Sequence, residues 1–345
     1  ASASRYYSHL QRDDYYSRDG EPPGRWAGKG AERLSLDGPV TQTEFDAALR
    51  GIDPKTGERL AQLGGRGREH AAGWDMTFSA PKSVSVLWAL SEAPERQMIT
   101  QAHRSAVLAA TAQLEATAGW ARRGRAGASR EQTAGLLMAQ FDHHTSRESD
   151  PQLHTHTFIF NLAPRRDGSW GAIVSRELYK AQKQAGATYR RALASELERR
   201  GIRLERKDTF RVAAIPRHIE RAFSKRRQAI EEAAKAHGYS TAKGMELATL
   251  RTRRPKRDAK LSELTNHWQA EAKALGFDLG RSRDHMHATT SDRSHAELPG
   301  GRGRARSPVA QPSPPAALAA GQPNQNRTAA QLGSRLGQVL RGLDQ

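Results

Sequence analysis

The sequence predicts an α+β fold with an antiparallel sheet. Three segments rich in apolar, aromatic or β-branched residues are predicted strands: GWDMTFS (73–79), GLLMAQFD (135–142) and HTFIFNLA (156–163). Long amphipathic segments lie between and after them. Because strands and helices are interleaved without a regular βαβ rhythm, an antiparallel sheet is favoured over a doubly wound parallel one.

The helices are predicted where apolar residues recur at helical intervals, over residues 97–117, 175–199, 216–236 and 258–274. The third opens with Pro216 and stops at Gly238, the asymmetry expected of helix ends. Two segments separated by Lys207-Asp208, GIRLER and TFRVAAI, predict a hairpin after the second helix.

A change of composition near residue 281 predicts the end of the folded domain, which therefore covers residues 1–280. Residues 281–326 are rich in Gly, Pro, Ser and Arg and have almost no aliphatic clusters. Such a segment buries too little apolar surface to offset its ordering entropy, so we expect a disordered linker. Residues 327–345 place leucines at helical intervals and predict a short amphipathic tail, too short to be stable alone.

The charge balance favours a polyanionic partner. The 345 residues include 55 Lys and Arg against 37 Asp and Glu, a formal charge of +18. Basic side chains that neutralise phosphates release counterions, so nucleic acid is the first expectation and an anionic membrane surface the second. No apolar run approaches the roughly 18 to 20 residues that span a bilayer, and no signal segment opens the sequence, which predicts a cytoplasmic protein.

Cysteine is absent, which excludes disulfides and thiolate zinc sites. A metal would therefore be held by histidine and carboxylate, ligands that suit zinc, manganese, nickel or magnesium. The segment SAPKS (79–83) resembles a phosphate loop only superficially. It lacks the glycines of a Walker motif, so nucleotide hydrolysis is not predicted.

Three histidines in FDHHTSRESDPQLHTHTFIFN (141–161) form the candidate metal site. His154 and His156 are two residues apart on a predicted strand and therefore project from one face. His143 ends the preceding strand, and a tight turn with Asp150-Pro151 would bring it alongside. Three imidazoles leave coordination positions open for a substrate. His144 faces the opposite way; the alternative is a surface or hydrogen-bonded histidine patch.

Asp75 is the candidate partner of a metal-bound histidine, whose second nitrogen normally donates to a carboxylate or carbonyl. An isolated aspartate is disfavoured in a strand, so its presence in GWDMTFS indicates a partner. It could also accept the proton of an attacking phenol. The alternative is an aspartate on the solvent face of an edge strand.

Two tyrosine pairs near the N-terminus, Tyr6-Tyr7 and Tyr15-Tyr16, are candidate nucleophiles. A phenol with a pKa of about 10 needs a base or a nearby cation to attack near neutral pH. A metal on the non-bridging oxygens of a phosphodiester would stabilise the charge that develops there. The alternative is that both pairs are only aromatic patches.

Several basic segments are suited to tracking a nucleic-acid backbone: GGRGREH (64–70), ARRGRAGASR (121–130) and RTRRPKRDAK (251–260). The predicted DNA-binding residues are Arg66, Arg68, Lys82, Arg122, Arg123, Arg125, Arg147, Arg251, Arg253 and Arg254. Candidates for base stacking are Trp26, Trp74, Trp120 and Trp170. Solvated charge and core tryptophans are the alternatives at every one of these positions.

Three long motifs resemble the relaxase domain of MobF-type conjugative relaxases, in the HUH endonuclease group. They are DDYYSRDGEPPGRWAGKGAERLSLDG (13–38), GWDMTFSAPKSVSVLWAL (73–90) and the histidine segment, and the resemblance runs from about residue 4 to 280. It implies an HUH-type palm with a central five-stranded antiparallel sheet flanked by helices, and a helical finger region. Relatives usually have a longer segment before the first tyrosine and continue into a helicase, so we expect a trimmed or absent first strand here.

The resemblance also implies an activity and roles for the residues. Relaxases of this type nick one strand at a conjugative origin of transfer, giving a 5′-phosphotyrosyl intermediate and a free 3′ hydroxyl. Tyr6 corresponds to the first nucleophile and Tyr15 to the second, with Tyr7 and Tyr16 as less essential neighbours. His143, His154 and His156 correspond to the metal ligands, and Asp75 to the acid that orients a ligand or takes the phenolic proton.

The expected cofactor is Mg²⁺ or Mn²⁺, with Zn²⁺ or Ni²⁺ as alternatives. The expected partners are single-stranded DNA with an adjacent hairpin at the origin, accessory relaxosome proteins and a coupling protein. Two other functions stay open: a catalytically silent single-stranded DNA-binding module, and a rolling-circle replication initiator of the same chemistry.

Overall fold

The computed structural model describes residues 22–61, 71–124, 127–207, 209–252 and 259–282. These belong to the first of two compact units, residues 1–290. The strands are β1 (Arg25–Ala27), β2 (Gly73–Ser79), β3 (Trp120–Arg123), β4 (Ser129–Gln132), β5 (Met138–Thr145), β6 (Pro151–Phe160), β7 (Ala163–Pro164), β8 (Trp170–Gly171), β9 (Leu204–Arg206) and β10 (Phe210–Val212). The helices are α1 (Lys29–Arg33), α2 (Gln42–Leu49), α3 (Lys82–Leu90), α4 (Ala93–Ala118), α5 (Ser175–Arg199), α6 (Arg217–Ala222), α7 (Lys225–Ala236), α8 (Ala242–Arg251), α9 (Leu261–Ala274) and α10 (Leu279–Ser282).

The main sheet is antiparallel, in the order β1-β5-β6-β2, with β5 and β6 at its centre. The mixed α+β class is therefore confirmed. The resemblance predicted five strands, and the described residues contribute four. The edge strand β1 has only three residues, because Gly28 adopts a positive φ of 81° and the chain turns there into α1.

The predicted strand 73–79 is confirmed, whereas the two central strands are shifted. β5 begins three residues later than predicted, and β6 begins at Pro151, as soon as the connecting turn closes. In that turn Ser146 N donates to Asp150 O at 2.9 Å, and Asp150 N donates to the Ser146 hydroxyl at 3.2 Å. Beyond the end of β6, the Asn161 side chain binds the backbone of Ala71 and Ile173, which directs the chain away from the sheet.

Each face of the sheet is covered by a separate apolar cluster. On one face α3, α4 and α5 pack against side chains such as Phe78, Met138 and Ile159. On the other face Phe45 of α2 contacts the rings of Phe141, Phe158 and Phe160, with centroids 4.9 to 5.8 Å away. Since Phe45 is fully buried, its replacement by alanine would cost about 3 to 5 kcal/mol. The sheet is thus held between two hydrophobic layers.

The hairpin and the two longest helices match their predictions. β9 and β10 pair antiparallel as the predicted hairpin. The predicted helix 175–199 is α5, and 97–117 lies within α4, which starts earlier because Pro94 occupies its first turn. The predicted helix 258–274 is observed from Leu261.

The predicted helix 216–236 is two helices, α6 and α7. The chain leaves helical geometry at Ser224 (φ −116°, ψ 36°), whose hydroxyl donates to Glu220 O. The preceding Phe223 is fully buried in the larger core. Burial of this ring outweighs the uniform helix propensity of the segment, which is why the periodicity missed the break.

Helix α3 was not predicted from the sequence. Its side chains are buried on every side from Ser83 to Leu90, so it lacks the amphipathic period that predicts a helix. Its two serines satisfy buried backbone groups of other elements: Ser83 Oγ accepts from Val212 N and Ser85 Oγ from Leu153 N. α3 therefore links the central strand β6 to the β9–β10 hairpin.

No described helix is long and apolar enough to cross a membrane. The predicted linker and tail lie outside the described residues, except that α10 extends two residues past the expected boundary at 280.

Candidate metal and nucleic-acid site

The pairing of β5 with β6 brings the three predicted histidines together. His143 lies directly opposite His154, and His156 lies opposite Phe141. The ring centroids are 5.4 Å apart for His143 and His154, and 5.2 Å apart for each of the other two pairs. They project from the sheet face that carries Phe141 and Phe158. The sequence expectation that a tight turn places His143 beside the HxH pair is confirmed as geometry.

Two of the imidazoles are oriented by contacts at Nδ1. His156 Nδ1 donates to Asp75 Oδ2 at 2.8 Å, and the Thr77 hydroxyl lies 3.2 Å from the same nitrogen. His154 Nδ1 donates to the backbone carbonyl of Gln152 at 2.8 Å. Both acceptors are of the kind that fixes the ring of a metal-bound histidine. Asp75 therefore has a histidine partner, as its unusual position in a strand indicated.

The antiparallel pairing of β2 with β6 explains how Asp75 reaches His156. Thr77 is directly opposite His156 and Asp75 is opposite Phe158, so both β2 side chains lie on the histidine face. The two hydrogen-bonded residues remain partly accessible, with 18% of the His156 side chain and 30% of the Asp75 side chain exposed. Asp75 therefore lies on an edge strand of the described sheet but is bonded to a site histidine rather than only to solvent.

The spacing of the three rings suits a small metal ion. With metal–nitrogen distances of about 2.0 to 2.1 Å, tetrahedral imidazoles place their ring centroids about 5.2 Å from one another. The observed 5.2 to 5.4 Å agrees. Among the described residues, however, no three His, Cys, Asp or Glu side chains already surround a common point. The donor set and the ring spacing fit an ion, and the rings would have to rotate for their nitrogens to converge on it.

His144 lies on the opposite face, as predicted. It stacks on Trp88 of α3 with ring centroids 4.6 Å apart and an interplanar angle of 18°. The imidazole is 7% exposed and belongs to the packing between the sheet and α3. Strand alternation thus separates two neighbouring histidines into a site residue and a core residue.

The described DNA-binding candidates occupy different environments. Arg122 is exposed on the β3–β4 hairpin, whereas Arg123 pairs with Glu131 at 3.0 Å and Asp167 at 2.9 Å. Arg251 is exposed at the end of α8, with its guanidinium 5.9 Å from the ring centroid of Tyr239. Arg147 is half-buried in the β5–β6 turn. Their contacts with DNA stay a prediction.

Lys82 is half-buried and bonded to the backbone of β6. Its ammonium donates to Pro151 O at 2.8 Å, which ties α3 to the start of β6. Burial lowers the pKa of Lys82 to about 8, against the opposing effects of Asp150 and Glu220. A lysine held in this way has a structural task before any contact with a phosphate.

The four tryptophans proposed for base stacking are mostly packed. Trp26 and Trp170 are each only 9% exposed and belong to the smaller core, which argues against base stacking by either. Trp74 is half-buried against the larger core, and Trp120 lies under the guanidinium of Arg130 at 4.9 Å. Large aromatic area drives these side chains inward.

The remaining predicted residues lie outside the described residues. They are Tyr6, Tyr7, Tyr15, Tyr16, Arg66, Arg68, Arg125, Arg253 and Arg254.

The sequence matches the TrwC relaxase family over residues 1–275. The chain belongs to the TrwC relaxase family. It is therefore a member of a family of DNA-nicking enzymes, as the MobF-type resemblance predicted.

The multifunctional conjugation protein TraI of Escherichia coli K12 is 34% identical over 292 residues, which are 82% of this chain and 16% of TraI. A second Escherichia coli TraI is 34% identical over 307 residues, 86% of this chain and 17% of that protein. The chain thus spans about a sixth of the length of these relatives.

Solved structures of TrwC share the fold. The copper-bound complex of TrwC with oriT DNA has a TM-score of 0.70 and 37% identity, covering 80% of this chain and 96% of that one. The metal-free oriT complex has a TM-score of 0.70 and 35% identity, with 80% and 95% coverage. A TrwC complex with a 27-mer comprising the recognition hairpin and the cleavage site has a TM-score of 0.68 and 35% identity, with the same coverage.

A buried polar group on the far side of the relaxase sheet was missed by sequence reasoning. It includes Asp142 and Thr155, which alternate with the site histidines along β5 and β6. The signal was present in HTHTF, where histidines and threonines alternate. In a strand buried on both faces, such alternation indicates polar residues on each side.

Proposed function

We propose that this protein nicks and rejoins one strand of DNA at a conjugative origin of transfer in a metal-dependent reaction. The observation that carries the proposal is the cluster of three imidazoles, with Asp75 bonded to His156, in a member of the TrwC relaxase family. TrwC binds oriT DNA that includes a hairpin and a cleavage site, which supports single-stranded DNA with an adjacent hairpin as the substrate here. Accessory relaxosome proteins and a coupling protein are the proposed partners.

His143, His154 and His156 would hold a divalent ion. For His154 and His156 the ligand atom would be Nε2, because Nδ1 is used in the contacts with Gln152 and Asp75. The bound ion would polarise the non-bridging oxygens of the scissile phosphate. A set of three nitrogens favours Zn²⁺, Ni²⁺ or Cu²⁺ over Mg²⁺ and Mn²⁺, which prefer oxygen ligands. That TrwC has metal-bound and metal-free structures supports a metal at this position.

Tyr6 is the proposed nucleophile. The phenol loses its proton to solvent and its oxygen forms a bond to phosphorus, while the bond from phosphorus to the 3′ oxygen breaks and the 3′ oxygen takes up a proton from solvent. The products are a 5′-phosphotyrosyl link and a free 3′ hydroxyl. Because one phosphodiester replaces another, the step is reversible, and Tyr15 would serve a second transfer. Tyr7 and Tyr16 would be auxiliary neighbours.

Asp75 would orient His156 rather than accept the phenolic proton. The 2.8 Å contact between Oδ2 and Nδ1 supports this role, because it fixes the ring and its tautomer. The basic residues Arg122, Arg147 and Arg251 would contact the DNA backbone, where each neutralised phosphate contributes to a salt-dependent affinity.

The direct test is a denaturing gel with an origin oligonucleotide that carries the hairpin and the cleavage site and is labelled at its 3′ end. We expect a slower-migrating covalent adduct with divalent metal, and none after chelation. Tyr6→Phe should abolish this adduct, whereas the matched control Tyr7→Phe should retain most of it. DNA binding without any adduct, at saturating metal, would overturn the proposal.

A further inference from the structure

A buried polar layer lies directly behind the histidine cluster, on the opposite face of β5 and β6. Gln140, Asp142, Thr155 and Thr157 are each at most 2% exposed and form two cross-strand pairs, Gln140 with Thr157 and Asp142 with Thr155. The proposed reaction uses none of them. Burying polar groups is costly unless they are hydrogen-bonded, so the contacts of this layer indicate what it stabilises.

Part of the layer is a directed chain of hydrogen bonds that joins two helices to both central strands. Thr155 Oγ1 donates to Asp142 Oδ1 at 2.6 Å, so the same oxygen must accept from His103 Nε2 at 2.8 Å. His103 Nδ1 is then an acceptor, and the Tyr189 hydroxyl donates to it at 2.8 Å. Every member has one consistent role, from α5 through α4 to β6 and β5.

The charge states of the chain agree with this direction. Burial lowers the pKa of His103 to about 4, so the imidazole is neutral and has one donor and one acceptor nitrogen. Burial raises the pKa of Tyr189 well above its usual value, which keeps its proton in place. Burial alone would raise the pKa of Asp142, but Arg25, Thr155 and Arg104 together hold it well below its usual range.

Two arginines complete the carboxylate at the end of the chain. Arg25 Nη1 of β1 and Arg104 Nε of α4 both donate to Asp142 Oδ2 at 2.7 Å. The Asp142 side chain is 1% exposed, and its charge is therefore compensated inside the fold. The network connects β1, β5, β6, α4 and α5 at one point.

This network lies directly behind the histidine cluster, on the other face of the sheet. Thr155 lies between His154 and His156 in β6, and Asp142 precedes His143 in β5. The hydroxyl–carboxylate bond therefore fixes the two strands at the level where the imidazoles emerge on the other side. Ring separation at a metal site is sensitive to shifts of a few tenths of an ångström, since ligand distances are tightly constrained.

We propose that Thr155 and Asp142 are positioning residues that set the separation of His143, His154 and His156 and thereby the affinity of the site for a divalent ion. This inference rests on the metal-binding part of the proposed function. Neither residue would touch the ion or the DNA, because both face away from the site.

Two isosteric threonine variants test the proposal. Thr155→Val removes both hydrogen bonds of the hydroxyl, whereas Thr157→Val removes a buried hydroxyl on the same strand and face that has no hydrogen-bond partner among the described residues. Full-length variants would be titrated calorimetrically with Mn²⁺ and, separately, with Zn²⁺. We expect Thr155→Val to weaken binding about tenfold, the lower end of the loss caused by removing direct partners of metal ligands, because Thr155 acts on the ligands only through the strands. Thr157→Val should bind as the wild type does, and Thr155→Ser, which keeps the hydroxyl, should restore affinity.

Unchanged metal affinity in a folded Thr155→Val protein would overturn the proposal and reduce the network to a structural role. Should Thr155→Val fail to fold, Tyr189→Phe removes the hydrogen bond to His103 at the far end of the network, and a smaller loss of metal affinity is expected. Unchanged affinity in that variant would equally overturn it, as would a wild-type protein that binds neither ion. The adduct assay separates the two proposals. If Thr155→Val binds metal more weakly but the wild-type protein forms no adduct, only the nicking activity is refuted. If the wild-type protein forms the adduct and Thr155→Val binds metal as tightly as the wild type does, only the positioning role is refuted.

Discussion

Replacement of Asp75 distinguishes between its two possible roles. The carboxylate binds His156 Nδ1 at 2.8 Å with both side chains partly exposed. A charge-assisted hydrogen bond contributes about 1.5 to 3 kcal/mol, and solvent screening places this one at the lower end. Since about 1.4 kcal/mol is a tenfold change, Asp75→Ala should weaken metal binding about tenfold. Asp75→Asn keeps an acceptor oxygen and should weaken it less.

The assay combines a metal titration with nicking of the origin oligonucleotide at increasing metal concentration. If Asp75 orients His156, saturating metal restores nicking in Asp75→Asn. Thr77→Val is the matched control on the same strand, because it removes only the 3.2 Å contact with the same nitrogen. Normal metal affinity together with nicking that stays absent at saturating metal would refute the orienting role and identify Asp75 as the proton acceptor.

The remaining predictions concern the core and the surface. His144→Ala should lower the free energy of unfolding by about 2 kcal/mol, because it removes the stack on Trp88, yet leave metal affinity unchanged; a loss of affinity in calorimetry would contradict the assignment of the two faces. The pKa of His103 is depressed to about 4 by burial, so the unfolded state binds more protons between pH 6.5 and pH 4 and stability falls as pH falls through this window. The decrease should amount to about 3 kcal/mol, and urea denaturation at several pH values should show a flatter profile in His103→Gln. Arg122→Ala should reduce the salt dependence of single-stranded DNA binding by about 0.7 in log–log slope, whereas Arg123→Ala should change it less, because Arg123 already pairs with Glu131 and Asp167. Equal effects in fluorescence anisotropy titrations would argue against this distinction.

Local patterns predicted the histidine arrangement well. The HxH spacing depends only on the two-residue period of a strand, and the return of His143 depends on a short turn with Asp150-Pro151 as its signal. Both are properties of neighbouring residues, and the structure confirms them. The exclusion of His144 follows from the same alternation.

Patterns failed where burial or distant contacts decide. Helix α3 is buried on all sides and therefore has no amphipathic stripe, and the helix predicted over 216–236 breaks where Phe223 enters the core. Trp26 and Trp170 were equally suited by residue type to stacking on bases and to packing, and both are buried in the smaller core.

The sequence by itself determined the α+β class, the family and the presence of three histidines on one strand pair, because these depend on composition, motif and short-range period. Only the tertiary structure decided which residues support that cluster. Asp75 and His156 are 81 positions apart in the chain and meet because β2 pairs with β6. The series of hydrogen bonds from Tyr189 to Asp142 joins residues from two helices and two strands behind the site. Such contacts are fixed by the packing of whole elements, which no local pattern encodes.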